Sequence, residues 1–162
     1  MSEAQVQDTS SQDYERIQVK RAAGAMGAEI AGVDLSKPLD DATFGEIHRA
    51  WLENNIIYFR DQNLTPDDHL AFARRFGDIH IHPFNKPLDD HPEVLEILKT
   101  EDEVRNNGGR WHTDQMYTPK PAMGTMLYAR EMPPFGGDTL FSNLYLGYEA
   151  LSDGMKAMLS GL

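Results

Sequence analysis

Apolar side chains at helical spacing predict a helix in the first third of the chain. Asp40 or Asp41 can cap its N-terminus, and the pattern ends near Asn54 and Asn55. The predicted apolar face has five members: Phe44, Ile47, His48, Trp51 and Leu52.

A second helix is predicted from Thr65, which suits the N-cap because Pro66 follows it and Asp68 occupies the third helical position. Gly77 is the expected C-cap. Its apolar face is predicted from four residues: His69, Phe72, Ala73 and Phe76.

Strands are predicted where apolar residues alternate with polar ones or where β-branched and aromatic residues cluster. Residues 79–84 also alternate, up to Pro83, and residues 145–151 and 153–159 suit short helices with Ser152 as a cap between them. This order predicts an α+β protein with a mostly antiparallel sheet. The predicted strands are 16–20, 28–35, 56–59, 94–98, 123–129 and 138–142.

Composition narrows the class of protein. The 162 residues are 40% hydrophobic, carry a net charge of −11 and include no cysteine. We therefore expect a globular domain that repels nucleic acid and has no disulfide or thiolate metal site. The start lacks a signal-peptide pattern and no apolar run could cross a bilayer, so we expect no membrane contact and a cytoplasmic location. Residues 1–14 are polar and predict a flexible N-terminal tail.

The segment Trp111-His112-Thr113-Asp114 carries the most specific chemistry. On an extended backbone, His112 and Asp114 project to the same side, so one imidazole nitrogen and one carboxylate oxygen converge. This pair supplies two of the three ligands in the two-His, one-carboxylate site of non-haem Fe(II) oxygenases. The spacing also occurs by chance, in which case Asp114 is a surface or turn-capping carboxylate.

Two further histidines allow a different metal site. His80 and His82 alternate with isoleucines and share one face, so together with His112 they could form a three-His zinc site of a hydrolase. Alternatively, one of them packs and the other lines a pocket, where its protonated form would pair with an anion.

The chain resembles the taurine and 2,4-dichlorophenoxyacetate dioxygenase family of Fe(II)- and 2-oxoglutarate-dependent oxygenases. Several motifs match in order over nearly everything after the N-terminal tail, which is more specific than any one of them. The matching segments are 27–35, 59–62, 76–83, 111–114 and 134–139.

The resemblance implies a double-stranded β-helix, or jelly roll, with flanking helices, of which residues 15–162 would be the N-terminal part of a single dioxygenase domain. It implies that His112 and Asp114 ligate Fe(II) and that Thr139 contacts the carboxylate of 2-oxoglutarate. A carboxylate at position 114 favours hydroxylation over halogenation.

The resemblance also implies a substrate pocket for a small organic acid, with a taurine-like sulfonate as the first expectation. His82 would line that pocket, and Asn107 would contribute from a substrate-covering segment at residues 100–110. The expected small-molecule partners are the organic acid, 2-oxoglutarate and O₂, and a homo-oligomer is compatible with the sequence.

The family also needs a second iron-binding histidine and a later arginine that binds 2-oxoglutarate. No histidine follows His112, and Arg130 lies too early to match. We therefore expect a jelly roll that is incomplete at its C-terminus and a chain that is inactive alone. A truncated, non-catalytic relative that acts as a binding or assembly module is the alternative, besides the zinc hydrolase.

Overall fold

The structure is a computed structural model, and it divides the chain into two compact units. The first contains Met1–Asp34, Pro38–Gln62 and Met132–Leu162, and the second contains Leu35–Lys37 and Asn63–Glu131. Of the predicted tail, residues 1–14, residues 1–13 lie outside the part that is described. The described residues are 14–81, 87–100, 102, 104, 108–114 and 116–162.

The first unit contains a three-stranded sheet in the order β1-β2-β3. Strands β1 (Gln18–Arg21) and β2 (Ala28–Ala31) are antiparallel, whereas β2 and β3 (Ile57–Phe59) are parallel. A parallel pair needs a long crossover, which helix α1 (Asp41–Asn54) provides. The expectation of a mostly antiparallel sheet is therefore wrong for this unit.

Helix α1 packs against β2 and β3. Strand β2 buries Ala28 and Ile30, two residues apart, and α1 buries Ile47 and Ala50. Leu52 was predicted on this face, yet 63% of it is exposed. The predicted face was broader than the strip of α1 that the small sheet covers.

Local hydrogen bonds set the ends of α1. The Asp40 carboxylate accepts a hydrogen bond from the Thr43 backbone N–H at 2.7 Å, as the predicted N-cap does. This bond lowers the pKa of Asp40. At the other end Asn55 takes φ +63°, a left-handed conformation that asparagine tolerates and that ends the helix.

Two short helices, α3 (Leu144–Glu149) and α4 (Asp153–Leu159), complete the described elements of the first unit. Asn143 and Ser152 cap them, and Ser152 does so as predicted. The Asn143 side-chain amide also donates to the Ala25 carbonyl at 2.7 Å. Neither helix buries a residue.

Helix α2 (Pro66–Ala73) belongs to the second unit and begins with the predicted capping box. The Thr65 hydroxyl accepts from the Asp68 backbone, and the Asp68 carboxylate accepts from the Thr65 backbone. Its C-cap is Arg74 rather than Gly77, because hydrogen bonds of the tighter i to i+3 type continue the chain as a turn to Phe76. Leu70 and Phe72 are buried.

The predicted strands 94–98, 123–129 and 138–142 have no strand ladder among the described residues, and only an isolated bridge joins Leu95 to Pro87. An extended segment becomes a strand only when a neighbour accepts and donates its backbone hydrogen bonds. Among the described helices, none combines the length and apolarity that a membrane span requires.

Candidate metal centre

His112 and Asp114 lie on an irregular stretch of the second unit and converge as the sequence predicts. His112 Nε2 lies 3.2 Å from Asp114 Oδ1, and both side chains are more than half exposed. Two ligand atoms in adjacent positions around a metal, each about 2.1 Å from it, lie about 3 Å apart. The separation of these two atoms therefore fits a pair of metal ligands.

The backbone fixes which ring nitrogen of His112 is available. Nδ1 lies 2.7 Å from the Arg110 carbonyl oxygen, which can only accept a hydrogen bond, so Nδ1 carries the proton. In a neutral ring Nε2 then presents a lone pair. A metal ion placed between this lone pair and the Asp114 carboxylate oxygen could be bound by both atoms.

Gly108 lies close to the His112 ring. Its φ is +70°, a conformation that favours glycine, and a Cβ there would lie 3.5 Å from His112 Cε1. The backbone therefore passes close to the His112 imidazole at Gly108, where glycine suits the left-handed conformation.

Asp114 is held by a contact that the sequence did not predict. Its Oδ2 atom accepts a hydrogen bond from the Thr125 hydroxyl at 2.8 Å. The available signal was the one threonine within the mostly apolar run 123–129, but its partner could not be read from spacing.

The described residues hold no group of three or more His, Cys, Asp or Glu side chains that could bind a metal. His80 is exposed in the irregular stretch after α2 and belongs to no such group among the described residues. His82 and Asn107, the predicted substrate residues, lie outside the described residues. Thr139 is exposed and belongs to the first unit.

His69 was assigned to the apolar face of α2, and it is half-buried there. Its ring centroid lies 6.2 Å from that of Tyr128, and burial lowers the pKa of His69. His91 lies 3.2 Å from the Asp67 carboxylate at the start of α2. These two histidines have partners within the second unit that do not include His112 or Asp114.

Comparison with known proteins identifies the family. The sequence profile of the taurine catabolism dioxygenase TauD, TfdA family matches residues 18–162. The chain belongs to the TauD/TfdA family. Its relatives include the (S)-phenoxypropionate/alpha-ketoglutarate-dioxygenase of Sphingobium herbicidovorans, 35% identical over 84% of this chain and 48% of that protein.

Solved structures agree with this membership. A taurine dioxygenase from Burkholderia xenovorans has a TM-score of 0.75 and 36% identity, over 91% of this chain and 52% of that one. AAD-2 in complex with Mn(II) and N-oxalylglycine has a TM-score of 0.68 and 29% identity, over 88% of this chain and 48% of that one. The chain spans about half the length of the curated TauD/TfdA relatives it matches.

Proposed function

We propose that this chain supplies His112 and Asp114 as two protein ligands of Fe(II) in a 2-oxoglutarate-dependent dioxygenase that hydroxylates a small organic acid. The observation that carries the proposal is the 3.2 Å approach of His112 Nε2 to Asp114 Oδ1 in a member of the TauD/TfdA family. One imidazole nitrogen and one carboxylate oxygen are the donor types that a two-His, one-carboxylate Fe(II) site uses.

The third ligand would come from outside this sequence, which contains no histidine after His112. This chain spans about half the length of these relatives. The second histidine and the 2-oxoglutarate-binding arginine would lie in the other half. We therefore propose that residues 1–162 alone bind metal weakly and do not turn over substrate.

Arg110 and the predicted residues other than the two metal ligands also have roles in this proposal. The Arg110 carbonyl holds the His112 ring so that Nε2 faces the metal position. Thr139 would donate to the carboxylate of 2-oxoglutarate, while His82 and Asn107 would bind the substrate. Fe(II) with 2-oxoglutarate and O₂ supplies the oxidising chemistry, which couples decarboxylation to succinate with substrate hydroxylation.

The substrate class that we propose is a small anionic organic acid, with a taurine-like sulfonate tested first. Support comes from relatives named for such acids: a taurine dioxygenase from Burkholderia xenovorans and an (S)-phenoxypropionate dioxygenase from Sphingobium herbicidovorans. Because the chain carries −11 overall, an anion needs local positive charge, which a protonated His82 would supply.

Mn(II) binding to the full chain tests the metal ligands. Mn(II) broadens NMR signals of nuclei close to it, so it reports weak and local binding. We expect broadening centred on His112 and Asp114, with loss of that binding in His112→Ala and in Asp114→Ala. His80→Ala is the control, and it should bind as wild type does.

The reverse pattern would overturn the dioxygenase proposal. If His80→Ala abolished binding while Asp114→Ala did not, the three-His zinc site would account for the metal. A hydrolase built on His80, His82 and His112 would then be the better assignment.

A chimaera tests the activity. Residues 1–162 would replace the equivalent half of the Burkholderia xenovorans taurine dioxygenase, and succinate would be measured with Fe(II), 2-oxoglutarate and a panel of sulfonates and aryloxyalkanoates. We expect succinate formation that needs both His112 and Asp114, and none from residues 1–162 alone. The proposal would be contradicted if a chimaera carrying Asp114→Ala folded, bound Mn(II) and made as much succinate as the chimaera without that substitution.

A non-catalytic assembly module is the second candidate, because many large apolar side chains after residue 122 are exposed. Light scattering separates the two functions. A stable oligomer whose Mn(II) binding does not depend on His112 would favour the assembly module.

A further inference from the structure

The two carboxylate oxygens of Asp114 have different partners. Oδ1 lies 3.2 Å from His112 Nε2, whereas Oδ2 accepts a hydrogen bond from Thr125 Oγ1 at 2.8 Å. The ionised carboxylate can only accept, so the Thr125 hydroxyl is the donor. The hydrogen bond thus occupies one oxygen and leaves the other directed toward the histidine.

This hydrogen bond matters because packing does not hold Asp114. Its side chain is 57% exposed, and the terminal torsion of an aspartate is broad and roughly two-fold. Without a partner on one oxygen, the carboxylate could rotate and exchange its two oxygens. A hydroxyl on Oδ2 selects the orientation in which Oδ1 approaches Nε2.

We propose that Thr125 is a positioning residue that fixes Asp114 as a metal ligand through a single oxygen, Oδ1. The inference rests on the proposed function, because it assumes that the His112–Asp114 pair binds a metal. In metal sites, hydrogen bonds to the ligands commonly orient them and strengthen binding. Arg110 plays that part for His112 through its carbonyl, and Thr125 plays it for Asp114.

Thr125 lies on a segment that is anchored to α2. Three residues further along, the Tyr128 hydroxyl accepts a hydrogen bond from the Leu64 backbone N–H at 3.2 Å, and the Tyr128 ring lies beside His69. Leu64 directly precedes Thr65, the N-cap of the helix. The segment therefore contacts α2 and Asp114 within four residues, and it places the hydroxyl from an anchored stretch of backbone.

Mn(II) affinity of the full chain in three variants tests the proposal. Thr125→Val keeps the shape of the side chain and removes the hydroxyl, so we expect about 10-fold weaker Mn(II) binding at His112 and Asp114. Thr125→Ser keeps the hydroxyl and should retain wild-type affinity. Thr43→Val is the matched control, because Thr43 likewise hydrogen-bonds an aspartate, Asp40, through both its backbone and its side chain.

Folding is checked separately by comparing amide spectra and urea unfolding of all the variants. A purely structural role for Thr125 would change stability, and Thr43→Val would then weaken Mn(II) binding to a similar extent. Weaker binding confined to Thr125→Val, with rescue by Thr125→Ser, supports the positioning role.

Two other results would overturn it, and they are distinguishable. Wild-type chain that binds Mn(II) at His112 and Asp114, with Thr125→Val binding equally well, would refute the role of Thr125 and leave the proposed function intact. Wild-type chain with no Mn(II) effect at either ligand would refute the metal site itself, and the role of Thr125 with it.

Discussion

Two parts of the first unit carry the same kinds of apolar side chain, and only one of them buries these side chains. In residues 14–62, Ile30 and Ile47 are almost completely buried between β2 and α1. In residues 132–162, Leu140 is 73% exposed and Phe135 is 87% exposed, and the two helices bury nothing. Apolar character therefore marks the residues that need a partner, while burial requires that the partner be present.

Backbone hydrogen bonding shows the same difference. The β-branched and aromatic run at 57–59 pairs with β2, whereas the run at 138–142 forms no described ladder. Both runs favour an extended conformation. What distinguishes them is a neighbouring strand. Three of the four experiments below test the contrast between the two parts, and the one on His69 applies the same question of burial to the second unit.

The comparison of Ile47→Ala with Leu140→Ala has the largest expected effect on the free energy of unfolding. Ile47 is fully buried, so its truncation leaves a cavity and should lower the free energy of unfolding by about 2–5 kcal/mol. The exposed Leu140 should change it by less than about 0.5 kcal/mol. Urea unfolding followed by tryptophan fluorescence measures both, and equal losses would show that residue 140 is buried in solution.

Asp40→Ala against Ser152→Ala compares the caps of a packed helix and an unpacked one. Asp40 caps α1, and its loss should lower the free energy of unfolding by about 1 kcal/mol. Ser152 caps α4, which buries no residue, so its loss should reduce helix content without moving the main unfolding transition. Circular dichroism and urea unfolding separate the two results, and a shifted transition in Ser152→Ala would contradict the expectation.

The half-buried His69 should make the free energy of unfolding depend on pH, by less than about 1 kcal/mol because its partial exposure weakens the effect. Burial lowers its pKa from 6.5, so below about pH 6.5 the unfolded chain binds more protons than the folded chain. The stability is present above pH 6.5 and is lost as the pH falls through the folded pKa. Unfolding at pH 7.5 and 5.5 should show a smaller loss in His69→Gln than in wild type, and identical losses would exclude this role.

Phe135→Ser should have the smallest effect on stability. Because the ring is exposed, the free energy of unfolding should change by less than about 0.5 kcal/mol. Binding of a hydrophobic dye should fall, since an exposed apolar surface shrinks. A large loss of stability together with unchanged dye binding would show that the ring is packed.

Local signals predicted the helix starts well. Asp40, Thr65 and Ser152 cap their helices as the sequence indicated, because a cap acts on backbone groups only two or three residues away. The C-terminal end of α1 was also predicted correctly, near Asn54 and Asn55, whereas that of α2 was not. Helix α2 gives way to a tighter turn three residues before Gly77, where competing hydrogen bonds of similar strength decide the boundary.

The candidate site was predictable in part. The spacing of His112 and Asp114 placed one nitrogen and one oxygen together, and the structure brings them to 3.2 Å. Thr125 could not be predicted, because it lies eleven positions after Asp114 and no local pattern relates the two residues. The roles of Thr139, His82 and Asn107 remain predictions from the resemblance.

By itself, the sequence determined the family, the helix caps, the β2 alternation and the identity of the two candidate metal ligands, since all of these depend on short motifs or neighbouring residues. The tertiary structure alone decided which apolar runs become strands, why Leu52 is exposed, and which oxygen of Asp114 is held by Thr125. Those features depend on groups that are distant in sequence, whose positions no local pattern specifies.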